Sequence, residues 1–237
     1  MTVIDTAVVL AAGAGTRLRD LAESKPLCPV GGRTLLEHAL HGLAAAGMKR
    51  VIVTTGYRAE AIEQVIAEGS WPVEVVTARS ADWRMPNGVS VLAAAPLLGG
   101  APALLTMCDH LVEPALYAHV AAAGAGDGLT LGIDRRLGHP WVDPLDVTCV
   151  ATAGDRIVAI GKELEPHDAY DTGVFAVGPA LFAALAGLEA PSLTEGVRIL
   201  AARGTARVVD CSAFDWIDVD DGPAHHSATV YLAARAA

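Results

Sequence analysis

Short apolar runs alternate with amphipathic stretches along most of the chain, separated by turns rich in glycine and proline. The first apolar run, at about 6–12, predicts a strand, and a loop follows it to residue 33. A helix is predicted over 34–46. Thr34 with Glu37 makes a capping-box pattern at its start, and Gly47 ends it. The same reading gives strands at 50–55, 73–78, 102–107 and 128–134, and helices at 58–68, 88–97 and 113–122. Alternation of this kind implies a parallel sheet.

Beyond residue 134 the rhythm changes. Runs at 147–152, 156–161 and 170–177 read as strands joined by short turns, one of them Ala153-Gly154-Asp155. Helices return at 180–187 and 192–203, the second with its own capping-box pair, Ser192 and Glu195. Strands at 206–210 and 214–219 precede a C-terminal helix opened by Asp221, Gly222 and Pro223. The expectation is an α/β fold in one domain over 1–237, with a first part at 1–134 and a β extension plus the C-terminal helix at 135–237. Val89 to Cys108 carries no charge and could be mistaken for a membrane span. Pro96, Gly99, Gly100 and Pro102 break it in the middle, so it reads as helix then strand, with no direct membrane insertion.

The 237 residues suffice for a sizeable core. The net charge of −10 gives no general affinity for nucleic acid or anionic membrane, so an anionic ligand would need a local basic patch. Only Lys25, Lys49 and Lys162 are lysines among the 17 basic residues, which makes each lysine informative. Cys28, Cys108, Cys149 and Cys211 are scattered, which fits reduced thiols of the cytoplasm rather than a disulfide or metal framework. Asp5 interrupts the apolar N-terminal run and no basic region precedes it, so no signal peptide is read.

The loop after the first strand holds the most chemistry. It reads Leu10-Ala11-Ala12-Gly13-Ala14-Gly15-Thr16-Arg17-Leu18, then Lys25-Pro26-Leu27, then Val30-Gly31-Gly32-Arg33-Thr34-Leu35-Leu36-Glu37. Successive backbone N–H groups of a glycine-rich turn form an anion-binding concavity, and the neighbouring Arg17 and Lys25 ask for phosphate. The P-loop pattern fails because no lysine follows the glycines, and the dinucleotide fingerprint fails at Leu18. Ligands of open α/β sheets lie beyond the strand carboxyl ends. There the second strand offers Thr54-Thr55-Gly56-Tyr57, a helix start offers Asn87-Gly88, and a buried strand ends at Cys108-Asp109-His110.

Asp109 alone could be a turn or helix cap. Together with the acidic stretch Asp215-Trp216-Ile217-Asp218-Val219-Asp220-Asp221 it could share one Mg²⁺ with substrate phosphates. Lys162 could be a solvated turn residue or a phosphate ligand. No Ser/His/Asp or Cys/His arrangement is present, and a phosphate acceptor needs none, because its oxygen is already a nucleophile.

The loop pattern resembles the signature of nucleoside-diphosphate-sugar pyrophosphorylases and related nucleotidyltransferases over about 28 residues in matching order. That resemblance implies a Rossmann-like, mostly parallel mixed sheet flanked by helices (a GT-A-like nucleotidyltransferase fold) with a substrate-side β extension. It makes 1–134 the nucleotide-binding part and 135–237 the acceptor-binding extension. It assigns Arg17 and Lys25 to catalysis. Leu10, Ala11, Ala12, Gly13, Ala14, Gly15, Thr16, Arg17, Lys25, Thr55, Asn87, Gly88, Ser90 and Asp109 fall to the nucleotide. Asp109 and Asp218 would hold Mg²⁺, with Asp220 the competitor for the second place. Lys162, Asp171 and Gly173 would meet the acceptor.

The short spacer before Lys25, the Trp83-x-x-x-Asn87-Gly88 segment, Met107-Cys108-Asp109-His110, Ile160-Gly161-Lys162 and Asp171-Thr172-Gly173 add a finer likeness. They are similar to cytidylyltransferases acting on alcohol phosphates, and above all to the inositol-1-phosphate cytidylyltransferases. CTP and a small alcohol phosphate are therefore the expected partners, for a monomer or homodimer in the cytoplasm. Such enzymes are often fused to a membrane-embedded phosphotransferase domain; a free-standing enzyme whose CDP product feeds a separate membrane-bound phosphotransferase is the expectation here. Phosphocholine is the rival acceptor. Its quaternary ammonium would want aromatic walls, for which Trp141 and Tyr170 are available. An inositol pocket would want polar groups such as Arg135, Arg136, Asp143 and Asp168. From another class, a non-catalytic nucleotide-binding regulatory module would be favoured by loss of the lysine or the aspartates, and all are present.

Overall fold

The computed structural model describes residues 3–236. The first half alternates strand and helix as the pattern predicts, except for a short hairpin of β2 (Pro29–Val30) and β3 (Arg33–Thr34) inside the expected loop: β1 (Thr6–Ala11), that hairpin, α1 (Leu35–Ala45), β4 (Arg50–Thr55), α2 (Ala59–Glu68), β5 (Glu74–Arg79), α3 (Gly88–Leu98) and β6 (Ala103–Met107). Next come β7 (His110–Val112), α4 (Pro114–Ala123) and β8 (Leu129–Asp134). The second half holds β9 (Cys149–Ala153), β10 (Arg156–Gly161), β11 (Ala169–Val177), α5 (Pro179–Ala186), α6 (Leu193–Ala202), β12 (Ala206–Asp210), β13 (Trp216–Asp218) and α7 (Gly222–Ala236). Both capping boxes form, Thr34 with Glu37 and Ser192 with Glu195. The uncharged stretch becomes α3 and β6, and no described helix is long and apolar enough to cross a membrane.

Nine strands make one mixed sheet in the order β5-β4-β1-β6-β11-β8-β12-β10-β9. The pairs β5–β4, β4–β1, β1–β6 and β8–β12 are parallel, whereas β11 enters antiparallel between β6 and β8. Side chains of alternate residues enter separate cores, as strand geometry requires. Ala7, Val9 and Ala11 of β1 pack with Leu36, Leu40 and Leu43 of α1 and with Leu116 and Tyr117 of α4. Val8 and Leu10 pack on the other face with Val91 and Ala94 of α3, Leu181 of α5 and Val197 of α6. A sheet buried on both faces explains why its strands read as continuous apolar runs. A third, smaller cluster of Leu18, Val30, Leu35, Leu111, Ile217 and Val219 supports the glycine loop from beneath. β11 is the strand that joins the two halves. Its N-terminal end also pairs with β9, and its register shifts between Asp171 and Phe175.

Candidate active site

The carboxyl ends of β1 and β6 open onto two adjoining cavities of about 280 Å³ and 290 Å³, which share Arg17, Asp109 and Asp220 on their walls. The smaller lies on the glycine loop. Gly15 has φ +55°, and a Cβ there would sit 2.3 Å from the Cβ of Lys25. Glycine thus does two things: it accepts the left-handed turn and lets the lysine stem pack against the loop. Lys25 is 9% exposed and extends along this wall to the carboxylates.

Five charged side chains form an alternating row across the cleft. Lys25 pairs with Asp220, Asp220 with Arg17, Arg17 with Asp146 at 2.5 Å, and Asp146 with Lys162. Lys25 also meets Asp109 at 2.6 Å. The three cations come from the glycine loop and from the end of β10, so the fold brings together groups far apart in sequence. Seven aspartates line the two cavities, at 109, 143, 146, 171, 218, 220 and 221, against Arg17, Lys25 and Lys162. Two polyanionic ligands entering such a site need further positive charge beside them.

Part of that charge is His110. β7 and β13 pair antiparallel with His110 opposite Asp218, which sets Asp218 beside the end of β6 and Asp109. The His110 Nδ1–H donates to the Thr172 carbonyl at 2.9 Å, and Nε2 lies 3.6 Å from Asp218 and 3.9 Å from Asp109. Its ring stacks on Trp216 at 5.9 Å. Burial alone would lower its pKa, but the Asp218 and Asp109 carboxylates and the Thr172 carbonyl outweigh burial and raise it to about 9. Gly173, at φ +75°, leaves room for this imidazole, since a Cβ there would lie 2.3 Å from Nδ1. Burial pushes Asp171 up to about 6, although the Gly173 N–H at 2.7 Å opposes the shift. Lys25 and His110 hold Asp109 below the usual carboxylate range against its burial. Behind these groups Asp134 accepts from the indole N–H of Trp216 at 2.9 Å and from Arg136, fixing β13 from its first residue.

The donors suit a hard dication. Asp109, His110 and Asp218 each offer an atom within 4.8 Å of the others, and Asp146, Asp218 and Asp220 form a second such group. One buried oxygen of Asp109 and one of Asp218 have no hydrogen-bond partner, which is costly unless a cation meets them. Carboxylate oxygens fit Mg²⁺, so the residues present fit the ion.

Among the expected nucleotide residues, Leu10, Ala11, Gly13, Gly15, Thr16, Arg17, Lys25 and Asp109 line the smaller cavity. Asn87, Asp109, Lys162, Asp171, Gly173 and Asp218 line the larger. Ala12 and Ala14 line neither, and the Ala12 carbonyl is taken by the Tyr57 N–H at 2.9 Å. Thr55 and Ser90 also line neither cavity. β4 runs on through Thr55, which is fully buried and donates to Glu63 at 2.8 Å. Ser90 is buried in the first turn of α3 and bonds Ser80 at 3.3 Å. Gly88 faces Pro191, its N–H donating to that carbonyl at 3.0 Å. Of the polar groups considered for an acceptor, only Asp143 lines either of these two cavities. Arg135 pairs with Asp168, and Arg136 with Asp134. Trp141 lines the larger cavity, whereas Tyr170 is buried and accepts from the Gly138 N–H. Sequence reasoning missed Asp146 and Asp134, and named His110 only within its motif. Asp146 lies in an aperiodic turn-rich segment that carries no signal.

Residues 7–152 match the family described as MobA-like NTP transferase domain. A bifunctional IPC transferase and DIPP synthase of Rubrobacter xylanophilus is 35% identical over 90% of this chain and 49% of its own length. One of the same name from Aquifex aeolicus is 32% identical over 98% of this chain and 53% of its own. The chain therefore spans about half the length of these curated relatives. The structure of the inositol-1-phosphate CTP transferase from T. maritima superposes with a TM-score of 0.86 at 23% identity, covering 99% of this chain and 96% of that one. The fold is that of the nucleotidyltransferases.

Proposed function

The chain belongs to the MobA-like NTP transferase family, and we propose that it transfers a cytidylyl group from CTP to inositol 1-phosphate, giving CDP-inositol and pyrophosphate. The observation that carries this reading is the row Lys25–Asp220–Arg17–Asp146–Lys162, which supplies cations along one cleft for two phosphorylated ligands. The names of its relatives support the choice of nucleotide and acceptor.

An oxygen of the acceptor phosphate attacks the α-phosphorus in line. The bond from that phosphorus to the bridging oxygen of the β-phosphate breaks, and pyrophosphate leaves. The phosphomonoester is already ionised near neutrality, so no base is required, and catalysis is positioning plus charge neutralisation. Residues 1–134 supply the nucleotide side: Arg17 holds the triphosphate, and Lys25 meets the charge that develops at the α-phosphate. Residues 135–237 supply the acceptor side, with Lys162 on the acceptor phosphate and Asp171 and Gly173 beneath it. Asp109 and Asp218 would hold Mg²⁺, which when bound neutralises phosphate charge.

Asn87 supports cytosine. Its side-chain carbonyl accepts the Leu193 N–H at 2.8 Å, which engages one of its lone pairs and fixes the side chain, and its amide donors would meet the N3 acceptor that cytosine has and uracil lacks. Cytosine presents acceptors at N3 and O2, whereas uracil presents an N–H at N3. A phosphocholine acceptor is the second reading, favoured by Trp141 and Asp143 on the cavity wall. Consumption of the CDP product by a membrane-bound phosphotransferase belongs to the first. Phosphorus NMR of the reaction mixture tests the proposal. Two coupled diphosphate-diester resonances together with free pyrophosphate are expected from CTP and inositol 1-phosphate. Their appearance only with phosphocholine would replace the acceptor, and their absence with every acceptor would sink the reading.

A further inference from the structure

Asp146 takes no part in the reaction as derived above, yet it occupies the middle of the site. It stands on the irregular segment 135–148 between β8 and β9, and its two oxygens are divided between two cations: Oδ2 to Arg17 at 2.5 Å and Oδ1 to Lys162. The cations are about half exposed, at 51% and 59% of their side chains, while Asp146 is 19% exposed. Two half-exposed side chains thus converge on one sheltered carboxylate. These two ion pairs lower the Asp146 pKa against its partial burial, so it is charged at neutral pH.

We propose that Asp146 holds the place of substrate phosphate between Arg17 and Lys162, and so restricts the site to phosphorylated ligands. The inference rests on the cytidylyltransferase reading for the roles of the two cations. A phosphate reaching either cation cannot share it with Asp146 without a close like-charge contact, which a partly desolvated cleft makes severe. Binding is therefore an exchange in which phosphate takes the cations and the carboxylate leaves. A phosphomonoester can make that exchange because it brings about two negative charges and three acceptor oxygens. A free polyol cannot, since displacing Asp146 would strand both cations. Specificity here comes from the cost imposed on the wrong ligand. The segment holding Asp146 is fastened by bonds of Leu145 and Val147 to Asp143, by packing of Val142 and Val147 on the main core and by the edge contact of Trp141 on Tyr231 at 5.0 Å. A rotation of the Asp146 side chain would suffice to withdraw the carboxylate.

Calorimetric titration without Mg²⁺ tests this, with inorganic pyrophosphate, inositol 1-phosphate and inositol as probes against wild type, Asp146→Asn and Asp146→Glu. Asp146→Asn should bind both phosphate ligands at least about tenfold more tightly, because the internal competitor has lost its charge. Asp146→Glu should stay near wild type, and inositol should bind to neither wild type nor the glutamate variant. Unchanged or weaker phosphate binding by Asp146→Asn, in protein with a wild-type unfolding temperature, would overturn the proposal. If that wild type still releases pyrophosphate from CTP and inositol 1-phosphate, only the role of Asp146 falls. If wild type and Asp146→Asn neither bind nor turn over these ligands, the reaction falls with it.

Discussion

Replacing Gly15 by alanine tests the link between the glycine loop and Lys25. The backbone there sits at φ +55°, where an L-residue costs about 1–2 kcal/mol. The new Cβ would also stand 2.3 Å from the Lys25 Cβ, against roughly 3.5–4.0 Å for an ordinary carbon contact. More than an ångström of overlap must be relieved, and overpacking of this kind costs about 1–3 kcal/mol. The combined loss of about 2–5 kcal/mol should lower the unfolding temperature by roughly 4–20 °C for a chain of this size. Relief also displaces Lys25 by on the order of 1 Å, a shift that costs about 10²-fold in turnover at a site built on positioning. Gly13→Ala is the internal control, since nothing lies within 4 Å of its Cβ position and its backbone is outside the left-handed region. Its stability should change by no more than about 0.5 kcal/mol. Circular dichroism melts and pyrophosphate release measure both quantities. A Gly15→Ala protein with wild-type melting and turnover would refute the reasoning, as would equal destabilisation by Gly13→Ala.

Asp134→Asn should destabilise by about 3–5 kcal/mol, because it leaves Arg136 and the Trp216 indole without their buried carboxylate; chemical denaturation measures it. Arg136 and Trp216 hold Asp134 below the ordinary carboxylate value against its burial, so its contribution is present above about pH 4 and is lost as pH falls through the folded value. The variant should therefore show a flatter acid limb of stability than wild type, and an unchanged limb would contradict the assignment. Asn87→Asp keeps an acceptor for the Leu193 N–H but turns the remaining donors into an acceptor. The ratio of kcat/KM for CTP over UTP should fall at least about tenfold, and an unchanged ratio would remove Asn87 from base discrimination.

Much of the fold is legible because its signals are local. Both capping boxes stand within four residues, and the two-core sheet writes itself as apolar runs. The antiparallel entry of β11 between β6 and β8 is not legible, because strand order is decided by pairings between distant segments. β2, β3 and β7 are too short to carry a period. Among site residues, the glycine loop announces its phosphate chemistry through residue types alone. Asp146 does not, because its partners lie 129 and 16 residues away and only the folded cleft brings them together. Thr55 ends a strand at the same edge of the sheet, and composition alone does not show that its hydroxyl is taken by Glu63 of α2. Asp218 and Asp220, two residues apart, are indistinguishable by composition. In the structure one faces His110 and the other joins Lys25 and Arg17.

The central claim is a cytidylyl transfer driven by the cation row, and pyrophosphate release tests it most directly. With Mg²⁺ present, CTP, UTP, dTTP and ATP are each crossed with inositol 1-phosphate, phosphocholine and glucose 1-phosphate, for wild type and Lys25→Met. Release with CTP and inositol 1-phosphate, falling about 10²–10³-fold in Lys25→Met, is the predicted result. No release from any pair, or a Lys25→Met protein that turns over like wild type, would contradict it.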